Sequence, residues 1–164
     1  MFARLAHRVR QFVGALHPHV DAQARADAYR CLNEPQRRIF ESMMLRDQQH
    51  GTEVLARVRA AGGDDPPLWV AALLHDCGKG RVALWQRVAH VMLGAAAPGL
   101  GARIASERGA AWRRAFWRLL HHPDIGAEMV AATGAEPEAV RLISEQEAER
   151  PDARLALLQA ADEA

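Results

Sequence analysis

An unbroken apolar segment runs from Leu68 to Leu74 and ends in the dipeptide His75-Asp76. Because the segment has no polar face, the helix that it predicts has to be surrounded by other elements. A carboxylate at the end of such a helix is costly to bury unless it is paired or bound to a metal. The segment therefore predicts a central helix whose last residues meet a positively charged partner.

The composition is that of a folded domain built from helices. The chain has 164 residues, of which 49% are apolar and 25% are charged. These are globular values, and the length is that of one ordinary domain. Residues that favour helices dominate, and no β-branched residues alternate as they do in strands. We therefore expect an all-α fold, a single compact helical bundle. Only two cysteines occur, which predicts no disulfide framework and a reducing compartment.

The charge balance and the hydropathy pattern disfavour two classes of partner. The formal net charge is +1, which does not favour a nucleic-acid coat protein. The uncharged stretch from Val88 to Ala102 is too short to span a bilayer. We expect a cytoplasmic protein that does not bind membranes.

The first 17 residues show apolar residues at helical spacing between scattered arginines. An amphipathic helix is the interpretation that this pattern favours. A mitochondrial presequence is the alternative, because no acidic residue precedes Asp21. The helix would pack on the domain or dimerise it through four apolar residues: Leu5, Val9, Phe12 and Leu16.

Several helix boundaries follow from residues with known end preferences. Asp47 is expected to cap the helix that carries His50. Gly78 is expected to end the central helix. The pair His122-Pro123 is expected to start a new helix, because proline is favoured in the first turn. A further helix, from Val82 to about Ala97, is predicted to face inward with four residues: Leu84, Val88, Val91 and Met92.

Two more polar residues fall on faces that are otherwise apolar. His50 shares a face with Val54, and Asp162 lies two turns after Leu155 in an apolar terminal helix. Together with His75 and Asp76, they supply two imidazoles and two carboxylates from three helices. This is a ligand set for a divalent metal such as Mn, Fe, Co, Ni, Mg or Zn.

The order of these residues resembles the HD-domain superfamily of metal-dependent phosphohydrolases. Three local strings carry the resemblance: Asp47-Gln48-Gln49-His50, Ala71 to Lys79, and Leu157 to Asp162. The resemblance spans about residues 45–164. It implies an HD-type helical domain over 45–164, with residues 1–44 forming an N-terminal helical extension packed on the core.

The resemblance also implies roles for the matching residues. His50, His75, Asp76 and Asp162 would bind the metal. Lys79, the only lysine of the chain, would face the substrate phosphate with help from Arg81. In the mechanism that we expect, Asp76 or a second carboxylate close by takes a proton from a metal-bound water as it attacks phosphorus.

The string from His122 to Gly126 resembles a further motif of the family, which brings a ligand for a second ion. The usual additional histidine pair is missing from residues 142–147. One ion is therefore expected rather than two. His121 or His122 would act on the substrate as an acid or serve as a partial ligand of a second ion. His90 is interpreted as structural or pocket-lining, with a metal role as the alternative.

The function that these motifs imply is hydrolysis of a phosphomonoester or phosphodiester, and the substrate that we expect is a nucleotide. The alternative is an HD-fold regulatory module that binds metal or nucleotide with little or no catalysis. A homodimer is compatible with either function. The signature of the cyclic-di-GMP subgroup is missing, because the only tyrosine, Tyr29, lies outside the motifs.

Overall fold

The structure, a computed structural model, describes residues 18–96 and 99–164, with the side chains of 94–96 excepted. Within these ranges the chain forms nine α-helices and no β-strand, which confirms the predicted all-α fold. The expected helix over residues 1–17 lies outside the described part. The helices are α1 (Ala22–Cys31), α2 (Glu34–Ser42), α3 (Leu45–Ala60), α4 (Pro66–Leu74), α5 (Leu84–Ala96), α6 (Leu100–Ile104), α7 (Ala111–Ala131), α8 (Pro137–Ser144) and α9 (Ala153–Glu163), and a 3-10 turn (Cys77–Lys79) follows α4.

Helix α4 is the centre of the bundle. Its residues from Leu68 onward are buried, apart from Trp69, which is partly buried. Helices α1, α2, α3, α8 and α9 all pack against it. No helix within residues 18–96 and 99–164 combines the length and hydropathy needed to cross a bilayer.

The first two helices belong to the same core as the rest of the bundle. Asp21 caps α1 through the backbone N–H of Ala24, and Asn33 opens α2 with a capping box. Their buried apolar residues join those of α3, α4, α8 and α9 in one cluster. Residues 22–43 are thus part of the hydrophobic core and not an appendage with a core of its own.

Two of the expected helix boundaries are wrong. Helix α3 begins at Leu45 after Met44, so Asp47 lies inside the first turn, where its buried side chain binds an arginine of α5. Helix α4 ends at Leu74, and Gly78 lies within the 3-10 turn. A polar residue near a helix start predicts a cap, but here a tertiary ion pair uses its carboxylate.

Helix α7 is continuous where the sequence predicts a break. It runs through Pro123, which cannot donate a hydrogen bond to the carbonyl of Leu119 four residues earlier. The Nδ1 atom of His122 donates to that carbonyl instead, at 2.9 Å. The imidazole therefore satisfies the oxygen that the proline leaves open, and the helix continues.

The predicted inward face of α5 is also wrong. Val88, Val91 and Met92 are exposed, the last two by 59% and 65%, and Leu84 is only partly buried. The helix instead turns Gln86 and Arg87 toward the bundle. Periodicity identifies the residues that share a face, but it does not show whether the fold covers that face.

Candidate metal centre

The end of α4 places His75 and Asp76 side by side in the protein interior. Both side chains are almost fully buried, at 2% and 4% exposure. The helix ends here because the chain tightens into the 3-10 turn directly after Asp76. His75 Nδ1 lies 3.1 Å from the carbonyl oxygen of Ala72. A ring nitrogen that donates to this oxygen leaves Nε2 with a free lone pair.

His50 reaches this point because α3 and α4 approach each other closely. A Cβ atom on Gly51 would lie 2.7 Å from the carbonyl oxygen of Leu73, so only glycine permits this spacing. The rings of His50 and His75 meet edge to face, with their centroids 5.2 Å apart. Ligand atoms of His50, His75 and Asp76 all lie within 4.8 Å of one another.

Asp162 reaches the same point from the last helix. Its Oδ1 atom lies 2.6 Å from Nε2 of His50 and 3.4 Å from Nε2 of His75. The side chain is 43% exposed, so this carboxylate forms the rim of the cluster. Burial opposes its charge, but the hydrogen bond with His50 and the charges of His75 and His50 hold the pKa of Asp162 well below its usual range.

The Asp76 carboxylate faces one ammonium and two imidazoles. The ammonium of Lys79 lies 2.6 Å away, and Nε2 of His75 and of His122 lie at 3.4 Å and 3.7 Å. Burial alone would raise the pKa of Asp76. The positive charge of Lys79, followed by that of His75, outweighs burial and lowers it far below its usual range. Asp76 is therefore an anion at neutral pH despite its burial.

One atom of the cluster lacks a partner that its burial requires. Nε2 of His75 is buried without a hydrogen bond among the described residues. Burial lowers the pKa of His75, but the negative charges of Asp76 and Asp162 raise it overall. The atom thus faces two carboxylates that attract a positive charge. Divalent metals lie about 2.0–2.2 Å from nitrogen and oxygen ligands, so atoms within 4.8 Å need small shifts to share one ion.

His122 is the member of the His121–His122 pair that lies at the dyad. It is buried, and the bond from its Nδ1 to Leu119 directs Nε2 toward Asp76. Gly78 makes this approach possible, since a Cβ atom there would lie 2.1 Å from the carbonyl oxygen of His122. Burial, and then the charge of Lys79, lower the pKa of His122, which favours its neutral form.

Three other predicted site residues lie farther out. His121 is exposed and stacks on Trp117 with ring centroids 4.8 Å apart. Arg81 is exposed after the 3-10 turn. His90 is partly buried on α5 against Phe116, and its Nδ1 atom has no hydrogen-bond partner in the described part of the chain. Burial lowers the pKa of His90.

The segment after α8 contributes residues that the motifs do not identify. Gln146 donates a hydrogen bond to the carbonyl oxygen of His75 at 3.1 Å, and Gln159 donates to the carbonyl oxygen of Gln146. The charge of the next residue, Glu147, opposes the lowering of the pKa of His90 by burial and, as a smaller effect, that of His122. The only signal in the sequence was that this segment carries acids and amides in place of the expected histidines.

Comparisons with known proteins give no family for this chain. No protein-family model, curated protein or solved structure matches it.

Proposed function

We propose that this protein is a metal-dependent phosphohydrolase with one divalent ion bound by His50, His75, Asp76 and Asp162. The observation that carries the proposal is the buried, partnerless Nε2 atom of His75, which faces two carboxylates that stay ionised. A divalent cation would give this nitrogen a partner and neutralise both carboxylates. The resemblance of the surrounding strings to the HD-domain superfamily gives the reaction class.

The ion, when bound, supplies Lewis acidity toward a phosphoryl oxygen. Asp76 is suited to hold it, because Lys79 keeps this buried carboxylate ionised. The side chain of Lys79 is 22% exposed. It is thus able to turn from Asp76 to a substrate phosphate and to stabilise the negative charge that develops there.

His122 is suited to accept a proton. Its Nδ1 atom is occupied by the Leu119 carbonyl, and its lowered pKa keeps Nε2 unprotonated at neutral pH. We infer that Nε2 takes the proton of the attacking water and passes it to the leaving oxygen. This role replaces the acid expected of this histidine from the sequence, because a neutral imidazole has to gain a proton before it can donate one. It also replaces Asp76 as the expected base, because the lowered pKa of that carboxylate makes it a weak base.

The test combines metal content with turnover. The full chain is stripped with EDTA, reloaded with Mn²⁺, Co²⁺, Ni²⁺ or Mg²⁺, analysed for metal, and assayed on p-nitrophenyl phosphate and bis-p-nitrophenyl phosphate. We expect His75→Ala and Asp76→Ala to lose both the ion and the activity. Lys79→Ala should keep the ion and lose about 100-fold in kcat, the typical effect of removing one group that stabilises transition-state charge.

His121→Ala is the matched control, because this neighbouring imidazole is exposed and lies outside the cluster. It should retain both metal and turnover. An Asp76→Ala protein with unchanged metal content contradicts the ligand assignment. Metal bound by the wild-type protein without turnover of any phosphoester favours a regulatory module that uses the same fold.

A further inference from the structure

A cluster of two arginines and one aspartate lies one turn before the metal ligand of α3. We call Arg46, Asp47 and Arg87 the arginine cluster. Arg87 of α5 holds the Asp47 carboxylate with two hydrogen bonds of 2.8 Å and 2.6 Å. Nε of Arg46 lies 4.0 Å from the same carboxylate, beyond hydrogen-bond distance. Two guanidinium groups thus face one carboxylate.

The arginine cluster carries one positive charge more than it can neutralise. The side chains of Arg46 and Arg87 are 18% and 15% exposed, and that of Asp47 is 4% exposed. The Nε atoms of both arginines are buried without hydrogen-bond partners among the described residues. Burial, and then the charge of Arg87, lower the pKa of Arg46. A buried cation without a partner is costly, and an anionic ligand would remove that cost.

The position of the cluster relates it to the proposed reaction. Arg46 and His50 are four residues apart on α3 and share one face of the helix. The rise between them is about 6 Å. Both arginines keep part of their side-chain surface in solvent, at 18% and 15%. A guanidinium also matches a phosphate in shape, because its N–H groups bond two oxygens at once.

We propose that Arg46, supported by Arg87, is a binding site for a second phosphoryl group of the substrate. The substrate class is then a phosphate ester that carries two phosphoryl groups, one at the metal centre and one at the arginine cluster. This inference rests on the proposed function for the identity of the first phosphate. Binding of an anion by the arginine cluster does not depend on catalysis.

The test measures binding with the metal removed, so that it is independent of turnover. Inorganic pyrophosphate and orthophosphate are titrated into the full chain in EDTA by calorimetry. The wild-type protein should bind pyrophosphate more tightly than orthophosphate. Arg46→Gln should lose roughly tenfold in pyrophosphate affinity, as one charge-assisted hydrogen bond contributes. Arg46→Lys keeps the positive charge but lacks the planar guanidinium. Its pyrophosphate affinity should lie between those of the wild-type protein and Arg46→Gln.

Arg38→Gln is the matched control, since it removes an arginine that is 69% exposed on α2. It should bind pyrophosphate like the wild-type protein. Circular dichroism and thermal unfolding show that each variant is folded. Equal pyrophosphate affinity in folded Arg46→Gln and wild-type proteins overturns the proposal. Loss of pyrophosphate binding in Arg46→Gln supports the anion site even if the wild-type protein hydrolyses no phosphoester, in which case only the proposed function fails.

The second arm uses turnover on paired substrates. Adenosine 5′-monophosphate and adenosine 3′,5′-bisphosphate differ by one phosphoryl group. With metal present, the wild-type kcat/KM should favour the bisphosphate, and Arg46→Gln should reduce kcat/KM about tenfold for the bisphosphate alone. An equal loss on both substrates contradicts a role for Arg46 in binding the second group.

Discussion

Helices α4 and α5 both contact α3, which carries His50, and they are built in opposite ways. Helix α4 is surrounded by other helices and reaches the site only with its last residues. Helix α5 turns Gln86 and Arg87 inward and leaves Trp85, Val91 and Met92 in solvent. Helix α4 is therefore held by apolar packing, whereas α5 packs on α6 and α7 and joins α3 through the ion pair between Arg87 and Asp47. The difference separates a helix fixed by apolar packing from a helix whose link to α3 depends on charge.

The largest effect should come from adding one methyl group to the α4 side. In Gly78→Ala the new Cβ atom would lie 2.1 Å from the carbonyl oxygen of His122 and 2.7 Å from the backbone nitrogen of Gly126. We expect a loss of more than about 4 kcal/mol in unfolding free energy, or failure to fold, because neither backbone can move aside cheaply. Urea denaturation measures this loss in unfolding free energy.

The control for this prediction is a glycine of α6 that has open space around it. Gly101→Ala on α6 adds the same atom where nothing lies within 4 Å. It should be neutral or slightly stabilising, since alanine favours helices over glycine. Equal destabilisation by both alanines would mean that the close contact at Gly78 is not the cause.

Truncating one large apolar side chain in α4 and one in α5 compares the packing of the two helices directly. Leu73 on α4 is fully buried, whereas Met92 on α5 is 65% exposed. Leu73→Ala should cost about 2–5 kcal/mol because it leaves a cavity. Met92→Ala should change stability by less than about 0.5 kcal/mol. A cost for Met92→Ala near that of Leu73→Ala, measured by the same denaturation, would mean that α5 is covered in solution.

Breaking the ion pair should loosen α5 more than α4. Asp47→Asn removes the charge that Arg87 binds and leaves two mostly buried guanidinium groups facing each other. We expect a loss of about 2 kcal/mol, less than for a fully buried pair because both arginines keep some contact with water. Hydrogen exchange should accelerate in α5 while α4 stays protected. Asp27→Asn on α1, whose ion pair is largely exposed, is the control.

Much of this contrast can be anticipated from sequence on the α4 side and little of it on the α5 side. An apolar run that ends in His75-Asp76 has only one place in a bundle, which is the centre. The face of α5 could not be predicted, because its apolar residues are spaced like a core face and only the neighbouring helices decide what covers them. The same holds for Asp47, since a cap and a tertiary ion pair use the same carboxylate.

The smallest effect concerns an ionic network at the start of α4. Arg154 of α9 binds Asp65, which precedes α4, and also Glu138 of α8. Hydrogen bonds from Arg141, and then from Arg154, lower the pKa of Glu138 from 4.5 to about 2. Stability from this carboxylate is therefore present above about pH 4.5 and is lost as the pH falls toward 2.

The network is partly exposed to solvent, which screens its charges, so its contribution should be less than about 1 kcal/mol. Glu138→Gln should remove this part of the pH dependence, as thermal unfolding between pH 2 and 5 measures. Glu163→Gln, which removes another exposed carboxylate, is the control and should leave the pH profile unchanged. An identical acid profile in the wild-type protein and Glu138→Gln contradicts a role for the network.

The sequence by itself determined the helical class, the central helix and the residue types that meet at its end. These follow from composition, from the period of the apolar residues and from the cost of burying a carboxylate. The tertiary structure alone decided that His122 and not His121 faces Asp76, that α7 continues through Pro123, and that Arg46 and Arg87 share one carboxylate. The physical reason is that each of these features depends on which backbone groups and charges other helices bring within a few ångströms. The spacing of residues along one helix does not specify those neighbours.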